Sequence, residues 1–526
     1  MICIIRSVLH SNEPKMDASG FLSSPATWEL AIASSLYILY RYATSTFNYF
    51  SDQGIPGPKP IPIFGNMWGV WKANLPAYDL ALVNKYGKVF GYFDGPIPNL
   101  WITDADVIKA MYVKDFDHFV DRRSFEIKTK VMRKWLSLMR GQEWKDIRSS
   151  VTPAFTTGKI KRMSVLIKDC VASLCDRVTT VIEKDGKLNA KMVFGAFTMD
   201  VIARCAFGLK IDTLGEKDDP FTKNAHNIFS PAANKTPVIL LPYMYPGMFS
   251  VFGLLTERLV IVTKEMKFFF KLLENVLKDR LESKQKFNDF IELADEAISE
   301  YTKEVDGKTV PMWTREAIHE IIMGQSSFFM LAAFDTTATT LTSICFQLAL
   351  NPDIQEKLYE SIAAKMEDYD EVSYEMVQDV PYLEMVIQEV LRFYPPVIRI
   401  ERQCTKDYSY DNGRIKIKKD QIITVPTYAL HHSEEYYPDP EKFDPERWSP
   451  ENKASRSPYA YMAFGTGPRN CVGMRFAMEE MKMALCSLVQ KFRFFPVEET
   501  PEKLQFDDGF VQILQPIHAV VGLEFR

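Results

Sequence analysis

The residues best suited to chemistry lie near the C-terminal end of the chain, in Phe464-Gly465-Thr466-Gly467-Pro468-Arg469-Asn470-Cys471-Val472-Gly473. Three glycines and a proline allow a tight, irregular loop whose backbone can approach a flat ligand closely. One cysteine stands near its end. Directly afterwards Ala477, Met481, Ala484, Leu485, Leu488 and Phe492 recur at the spacing of one helix face. Cys471 is therefore expected at or just before a helix N-terminus, where unpaired N–H groups and the dipole favour a thiolate. Between a flat apolar side chain, Phe464, and a cation, Arg469, such a thiolate suits axial ligation of haem iron. The commoner fate of a lone cysteine after a turn is a buried structural one.

Three further groups could serve that chemistry. A long helix is expected from an N-cap at Thr314 to the stop at Asn351-Pro352. Around Phe328 to Phe334 it is apolar on nearly all sides, so it must be buried. Asp335, Thr336 and Thr337 interrupt that apolar run, and a carboxylate there is costly unless paired or used. Asp335 is expected to share a face with Phe328, Leu331 and Ala332. Farther on, Glu389 and Arg392 are three apart on a helix that Pro395 and Pro396 end. Upstream, Trp144 and Arg148 are four apart on one helix face.

The elements that must hold these groups read as mostly helical. The first 24 residues show no pattern and are expected to be flexible. Residues 25–46 carry the apolar stretch from Trp28 to Tyr40, which is short against the ~20 apolar residues that span a bilayer. It reads as a membrane anchor, with an ordinary amphipathic helix as the alternative. Residues 47–62, with Pro56-Gly57-Pro58-Lys59-Pro60-Ile61-Pro62, read as a stiff linker. Val89 to Trp101 reads as a β-hairpin region, and 397–402 and 422–426 as strands. Asp289 to Val310 is acidic and polar and reads as a surface connection. His431-His432 reads as a loop pair.

Composition bounds the rest. At 526 residues, length alone favours two or more domains. A hydrophobic share of 47% indicates a large core, and a net charge of −5 gives no reason to expect nucleic acid as a partner. The eight cysteines form no C-x-x-C pair, which argues against a zinc site or a dense disulfide framework. No G-x-G-x-x-G dinucleotide unit or P-loop is present.

The cysteine loop resembles the haem-binding signature of cytochrome P450 enzymes, Phe-x-x-Gly-x-Arg-x-Cys-x-Gly, and distant stretches agree with it in order. The run ending Ala332-Ala333-Phe334-Asp335-Thr336-Thr337 is similar to the family's Ala-Gly-x-Asp/Glu-Thr-Thr motif, with Ala333 in place of glycine. Glu389 and Arg392 match its Glu-x-x-Arg pair, and Phe443-Asp444-Pro445-Glu446-Arg447-Trp448 resembles its Pro-Glu-Arg-Phe segment.

The resemblance implies a mainly α fold with small β-sheets, a helical prism around a buried haem, with 63–526 as one catalytic domain. It implies Cys471 as the iron ligand and Asp335 and Thr336 as the catalytic proton relay. Arg122, Trp144, Arg148, Arg402 and Arg469 would hold haem b through its carboxylates, beside Phe464. Glu389, Arg392 and Arg447 would form a structural charge cluster. Phe125, Phe328, Ala332, Phe334, Val397 and Ile398 would line the substrate pocket, with Phe510 and Val511 as weaker candidates. The implied reaction inserts one oxygen atom into a lipophilic steroid, fatty acyl compound or xenobiotic. Electrons would come from NADPH through cytochrome P450 reductase, with cytochrome b5 as a further candidate. The implied site is the endoplasmic reticulum membrane, with the catalytic domain facing the cytoplasm. The rivals are a thiolate-haem isomerase acting on peroxides and a non-catalytic haem-binding sensor.

Overall fold

The computed structural model describes residues 25–526 except 73, 124–126, 212–219, 229–239, 248–262, 283–286, 288, 306–307 and 508–512. The expectation for residues 1–24 and the pocket candidates Phe125, Phe510 and Val511 lie outside the described residues.

In chain order, the elements that matter to the site begin with helix α1 (Pro25–Thr44), helix α2 (Leu75–Tyr86) and strands β1 (Val89–Asp94) and β2 (Ile97–Ile102). Helices α3 (Gly141–Val151) and α4 (Thr157–Lys184), strand β3 (Lys187–Asn189) and helices α5 (Ala190–Phe207) and α6 (Lys264–Glu282) follow. The long helix is α7 (Arg315–Leu350), succeeded by α8 (Pro352–Met366) and α9 (Pro381–Phe393). Strands β4 (Arg399–Gln403) and β5 (Ile422–Pro426), helices α10 (Thr427–His431) and α11 (Met474–Lys491), and strands β6 (Phe492–Phe495) and β7 (Val520–Phe525) complete the set.

The chain is mainly α with small sheets, as expected. The larger sheet has the order β1-β2-β5-β4, and β6-β7-β3 forms another. The expected hairpin pairs Val89 with Ile102 and Asp94 with Ile97.

Helix α7 is the axis of the core. Thr314 caps it, its side chain accepting from the Ala317 N–H at 3.3 Å, and 36 residues make it about 54 Å long. Its C-terminal half is sealed: Leu341, Ile344, Phe346 and Leu348 are wholly buried. Each contributes about 1.5–3 kcal/mol by burial. Helix α5 packs on α7 with Gly195 facing the Phe334 ring, where a Cβ would lie at an ordinary contact distance of 3.9 Å.

Two expectations are corrected. Within 289–310 the paired strands Thr302–Val305 and Lys308–Pro311 are a largely exposed surface connection, but the part before them is not. Asp289 caps a helix, Phe290–Ser299, by accepting from the Glu292 N–H at 3.1 Å. That helix buries Phe290, Ile291, Leu293, Ala294, Ala297 and Ile298, and the Phe290 ring stacks on Phe329 at 5.2 Å. The acidic residues hid an amphipathic pattern of period 3.6. His431 and His432 are not in a loop but close helix α10, both buried.

The stretch expected as a stiff linker lies against the body of the protein. Phe47 and Phe50 pack edge-on against Phe93 at 5.3 and 5.4 Å. Gly91 N–H donates to the Pro56 carbonyl at 2.8 Å, and Lys416 N–H donates to Gln53 Oε1 at 2.8 Å. Helix α1, before it, leaves Trp28, Leu30, Ile32, Leu36, Tyr37, Ile38, Leu39, Tyr40 and Tyr42 exposed. Among the described residues one helix is long and apolar enough to cross a membrane; it is α7, which lies mostly inside the protein.

Candidate active site: a thiol facing an internal wall of small residues

The cysteine loop is shaped by its own backbone. Cys471 N–H donates to the Phe464 carbonyl at 2.9 Å, Gly465 N–H to Met462 at 2.9 Å, and Asn470 N–H to Gly467 at 3.1 Å. Gly467 has φ 72°, and a Cβ there would overlap the Tyr112 carbonyl, so only glycine fits. The chain then enters α11 at Met474, as the periodicity predicts. Among the free cysteines described, Cys471 is the exposed one, and the other six are buried. The surface it presents is an internal one: burial pushes its thiol up, while the Gly473 backbone and the guanidiniums of Arg148 and Arg122 pull it down. Phe464 is half-buried beside it.

Arginines gather around this loop. Arg148 donates to the Asn470 carbonyl at 2.9 Å and to its side-chain oxygen at 3.0 Å. Arg122 and Arg402 both reach the Arg469 carbonyl, at 3.2 and 3.4 Å. Arg469 donates to the Met139 carbonyl at 2.6 Å and lies 4.7 Å over the Trp144 ring, and Arg402 lies 4.8 Å over Tyr112. Burial and the neighbouring guanidiniums push Arg402 down to about 9 and Arg469 down to about 8. The nearest carboxylate to Arg469 is Asp121, at 3.8 Å. The Nε atoms of Arg402 and Arg469 are buried without an acceptor. Arg123 is differently placed, in ion pairs with Asp94 and Glu401.

This arrangement fits a haem. Crowded buried cations with orphaned donors call for anions, which two haem carboxylates supply, and an inward-facing thiol offers the axial ligand.

Across from the loop, α7 turns a small-residue face inward. Ala332 is exposed although the helix around it is buried, Ala333 and Thr336 are half-exposed, and Thr336 Oγ1 donates to the Ala332 carbonyl at 2.7 Å. Phe329 of the same helix comes within 4.0 Å of where a Gly473 Cβ would lie. The Phe328 ring lies tilted against Trp135 at 5.7 Å, in an apolar cluster with Ile127, Met132 and Met266. Sequence reading missed that cluster, because Trp135 and Met266 are far apart in the chain and carry no motif. Val397 keeps accessible surface.

Two pocket candidates are displaced. Phe334 is two residues on from Ala332 and so points to the opposite side of α7, where it packs toward Gly195. Ile398 alternates away from Val397 and is 1% exposed in the main core. Asp335 does not share the open face of Ala332: it is buried and ion-paired with Lys191 Nζ at 2.5 Å. That lysine, 144 positions away, had no signal in the sequence.

The charge cluster assembles behind the loop. Arg392 donates to both Glu389 oxygens at 2.9 and 2.8 Å, and Arg447 approaches Glu389 at 3.5 Å. Trp448 Nε1 and the Asp444 N–H also donate to Glu389, at 2.9 and 3.0 Å. His431 joins the two layers: its rings' nitrogens face the Arg392 carbonyl at 3.2 Å and the Met462 N–H at 2.8 Å. Burial holds it neutral, well below the usual imidazole range. A separate groove of about 1010 Å³, lined by Tyr382, Tyr428, Glu441 and Lys503 among others, shares none of the residues around Cys471.

A family model for cytochrome P450 matches residues 55–520. Among curated proteins, the chain is 37% identical over 498 residues to cytochrome P450 3A14 of Cavia porcellus, covering 94% of this chain and 95% of that protein. It is 39% identical over 503 residues to cytochrome P450 3A16 of Mus musculus, covering 93% and 95%. Lithocholate 6-beta-hydroxylase of Mesocricetus auratus is 37% identical over 502 residues, covering 94% and 95%. The fold and the site define a haem-thiolate oxygenase, and the chain belongs to the cytochrome P450 family. It is a monooxygenase that binds haem b and inserts one atom of dioxygen into a lipophilic substrate, with NADPH electrons delivered by a reductase. Its class works at the endoplasmic reticulum membrane. Nothing in these likenesses supports the isomerase or sensor readings.

Proposed function

We propose that residues 63–526 act as one catalytic domain in which Cys471 ligates the haem iron, Phe464 flanks it, and Arg122, Trp144, Arg148, Arg402 and Arg469 hold the haem carboxylates. The observation that carries this reading is the pairing of the one exposed thiol among the described cysteines with crowded buried guanidiniums whose Nε atoms lack acceptors. When bound, the haem supplies a thiolate-ligated iron at which dioxygen is activated. The protein's own residues do the rest. Glu389, Arg392 and Arg447 fix the backbone that carries the loop. Thr336 offers a hydroxyl to the inner space, and Asp335 supplies protons that a closed apolar site lacks.

Phe328, Ala332 and Val397, under the Trp135 cluster, form a wall of apolar surface with few polar groups to fix one orientation. Its substrate is bulky and lipophilic. A steroid is the favoured class, because a relative of similar length is named for acting on lithocholate. The exposed apolar face of α1 anchors the chain in the membrane, and Arg41 and Lys59 keep the catalytic domain on the cytoplasmic side. The electron donor is the reductase, with cytochrome b5 as a second partner.

The test is reconstitution with reductase in lipid and a screen of steroids against small charged metabolites. NADPH-dependent oxidation of steroids supports the reading, and turnover confined to charged metabolites refutes the pocket assignment. Thr336→Ala and Asp335→Asn should retain haem while releasing more hydrogen peroxide per NADPH. Unchanged product yield in both would remove these residues from proton delivery.

A further inference from the structure

The groove of about 1010 Å³ that shares none of the residues around Cys471 is walled by rings and rimmed by charges. The rings come from three stretches distant in sequence: Tyr382, Phe393 and Tyr394 on and just after α9, Tyr428 on α10, and Phe506. They brace one another. Phe393 lies edge-on to Tyr394 at 4.8 Å, and Tyr394 lies against Phe506 at 5.2 Å. Gln347 Nε2 donates to the Tyr394 hydroxyl at 3.1 Å, and the Tyr428 ring is stacked on buried His432 at 3.9 Å. The rim carries the carboxylates of Asp353, Glu441, Asp444, Glu446 and Glu502 against the ammoniums of Lys357, Lys442 and Lys503. Each lysine is matched: Lys357 with Glu446 at 2.6 Å, Lys503 with Glu441 at 3.3 Å and Lys442 with Asp444 at 3.5 Å. Among the described residues, Asp353 and Glu502 have no such partner. The first turn of α8 offsets part of the Asp353 charge; Glu502 lacks even that.

One cation already shows how these rings are used. Lys357 Nζ stands 4.6 Å over the Tyr382 ring while paired with Glu446. Ring faces carry negative potential, and the uncompensated carboxylates add to the same sign. Burial, and after it Glu446, Asp353 and Asp444, push the Tyr382 hydroxyl up. We propose that this groove is a second binding site, separate from the haem, for organic cations with an apolar or aromatic body, such as protonated or quaternary alkylamines. The body lies on Tyr394, Tyr428 and Phe506. The ammonium sits between ring faces and the carboxylates of Glu502 and Asp353, as Lys357 sits between Tyr382 and Glu446. An anion of the same shape is repelled, and a neutral one gains nothing from the rim. The volume is near the top of the range of about 300–1,000 Å³ common for small-molecule sites.

The experiment uses the full haem-loaded chain in phosphatidylcholine vesicles, reduced and bound to carbon monoxide so that the iron is diamagnetic. The probe is benzyltrimethylammonium, followed by the broadening of its methyl proton resonance, with protein-free vesicles as the background. Broadening should saturate. Phenylacetate should not bind, and benzyl alcohol should bind on the order of fivefold more weakly, the size of an exposed cation–π contact. Glu502→Gln and Asp353→Asn should each weaken the cation about two- to fivefold, as for an exposed charge pair. Phe506→Leu, which removes a half-buried ring face, should weaken it by a similar factor. These three side chains lie at or near the surface, so the carbon-monoxide spectrum should be unchanged in each variant. Salt raised from about 0.01 to 1 M should lower the affinity. A saturating steroid should leave the cation bound; displacement would place it in the haem cavity and overturn the proposal. Equal broadening by phenylacetate or benzyl alcohol overturns it too, as does an affinity unchanged in both Glu502→Gln and Phe506→Leu. Absence of any broadening above the vesicle background ends it outright.

Discussion

The two faces of the internal site are built on opposite plans. On the cysteine side the backbone and the charge cluster are tightly tied: three backbone hydrogen bonds close the loop, and Glu389 alone takes two contacts from Arg392, one from Trp448 and one from the Asp444 backbone. On the α7 side the surface is small and open, Ala332 and Thr336, and its acid is tied to a partially exposed lysine. The cysteine side needs one geometry and is over-determined. The α7 side must admit different substrates and let protons in, so it is under-filled, and its roof draws on residues scattered from Ile127 to Met266.

Removing Cys471 breaks the comparison most completely. Cys471→Ala should abolish the red-shifted Soret band of the reduced carbon-monoxide complex, whereas Cys170→Ala, Cys345→Ala and Cys486→Ala should keep it, since those thiols are buried in packed helices with no accessible surface to offer a ligand. Survival of the band in Cys471→Ala would mean that the loop is not the ligand.

Glu389→Ala comes next. It strands Arg392, a fully buried cation, and breaking a buried pair from one side costs about 3–5 kcal/mol. Denaturant unfolding should show that loss together with weakened haem retention, and a stability near wild type would show that the cluster is not needed to hold the loop.

On the open side the matching change adds bulk. Ala332→Phe should leave stability and the carbon-monoxide spectrum nearly as they were while excluding large ligands or moving the site of oxidation. Identical binding spectra for large and small ligands in this variant would count against the open face as the substrate wall.

A pH-dependent effect comes from a loose end on α11. Both Glu480 carboxyl oxygens on α11 are buried without a partner, and burial pushes this acid well above the usual carboxylate range. A raised acid pKa means that the folded state binds the proton more tightly than the unfolded state does. Stability from this group is therefore full below the unfolded value of about 4.3 and falls as pH rises through the folded value, by up to about 1.4 kcal/mol per pH unit. Glu480→Gln should unfold at a higher temperature than wild type at pH 8, with the gap closing toward pH 5. A gap independent of pH would show that the carboxyl is partnered in solution.

The same contrast explains what could be read from the chain. Cys471, Arg469, Glu389 and Arg392 sit in short, fixed spacings, because tight backbone loops and single helical turns write their constraints locally. Helix α7 was legible to within a residue, from Thr314 at its cap to Asn351, because capping and an unbroken apolar run are local signals too. What escaped was set by tertiary packing. Lys191 meets Asp335, Trp135 meets Phe328, and Asp79 forms two charged hydrogen bonds with Arg399 at 2.8 and 2.5 Å across 320 positions; no window of sequence carries those pairs. Phe334 and Ile398 were misassigned for a simpler reason. Apolar residues beside an open surface look the same in sequence as apolar residues one step around the helix or along the strand.

The docking of the segment after α1 changes how the enzyme meets its lipid. A loose leash would let the catalytic body tumble above the bilayer and collect substrate from water. Instead Phe50 is wedged in the core beside Gly91, and Ala43 at the foot of α1 is fully buried. On the proposal that α1 anchors the chain, the helix would be a mounting bracket that gives the body one posture on the membrane surface. Oily molecules dissolved in the bilayer would then reach a body held at constant height by sideways diffusion, and their supply would depend on membrane partitioning more than on solubility in water.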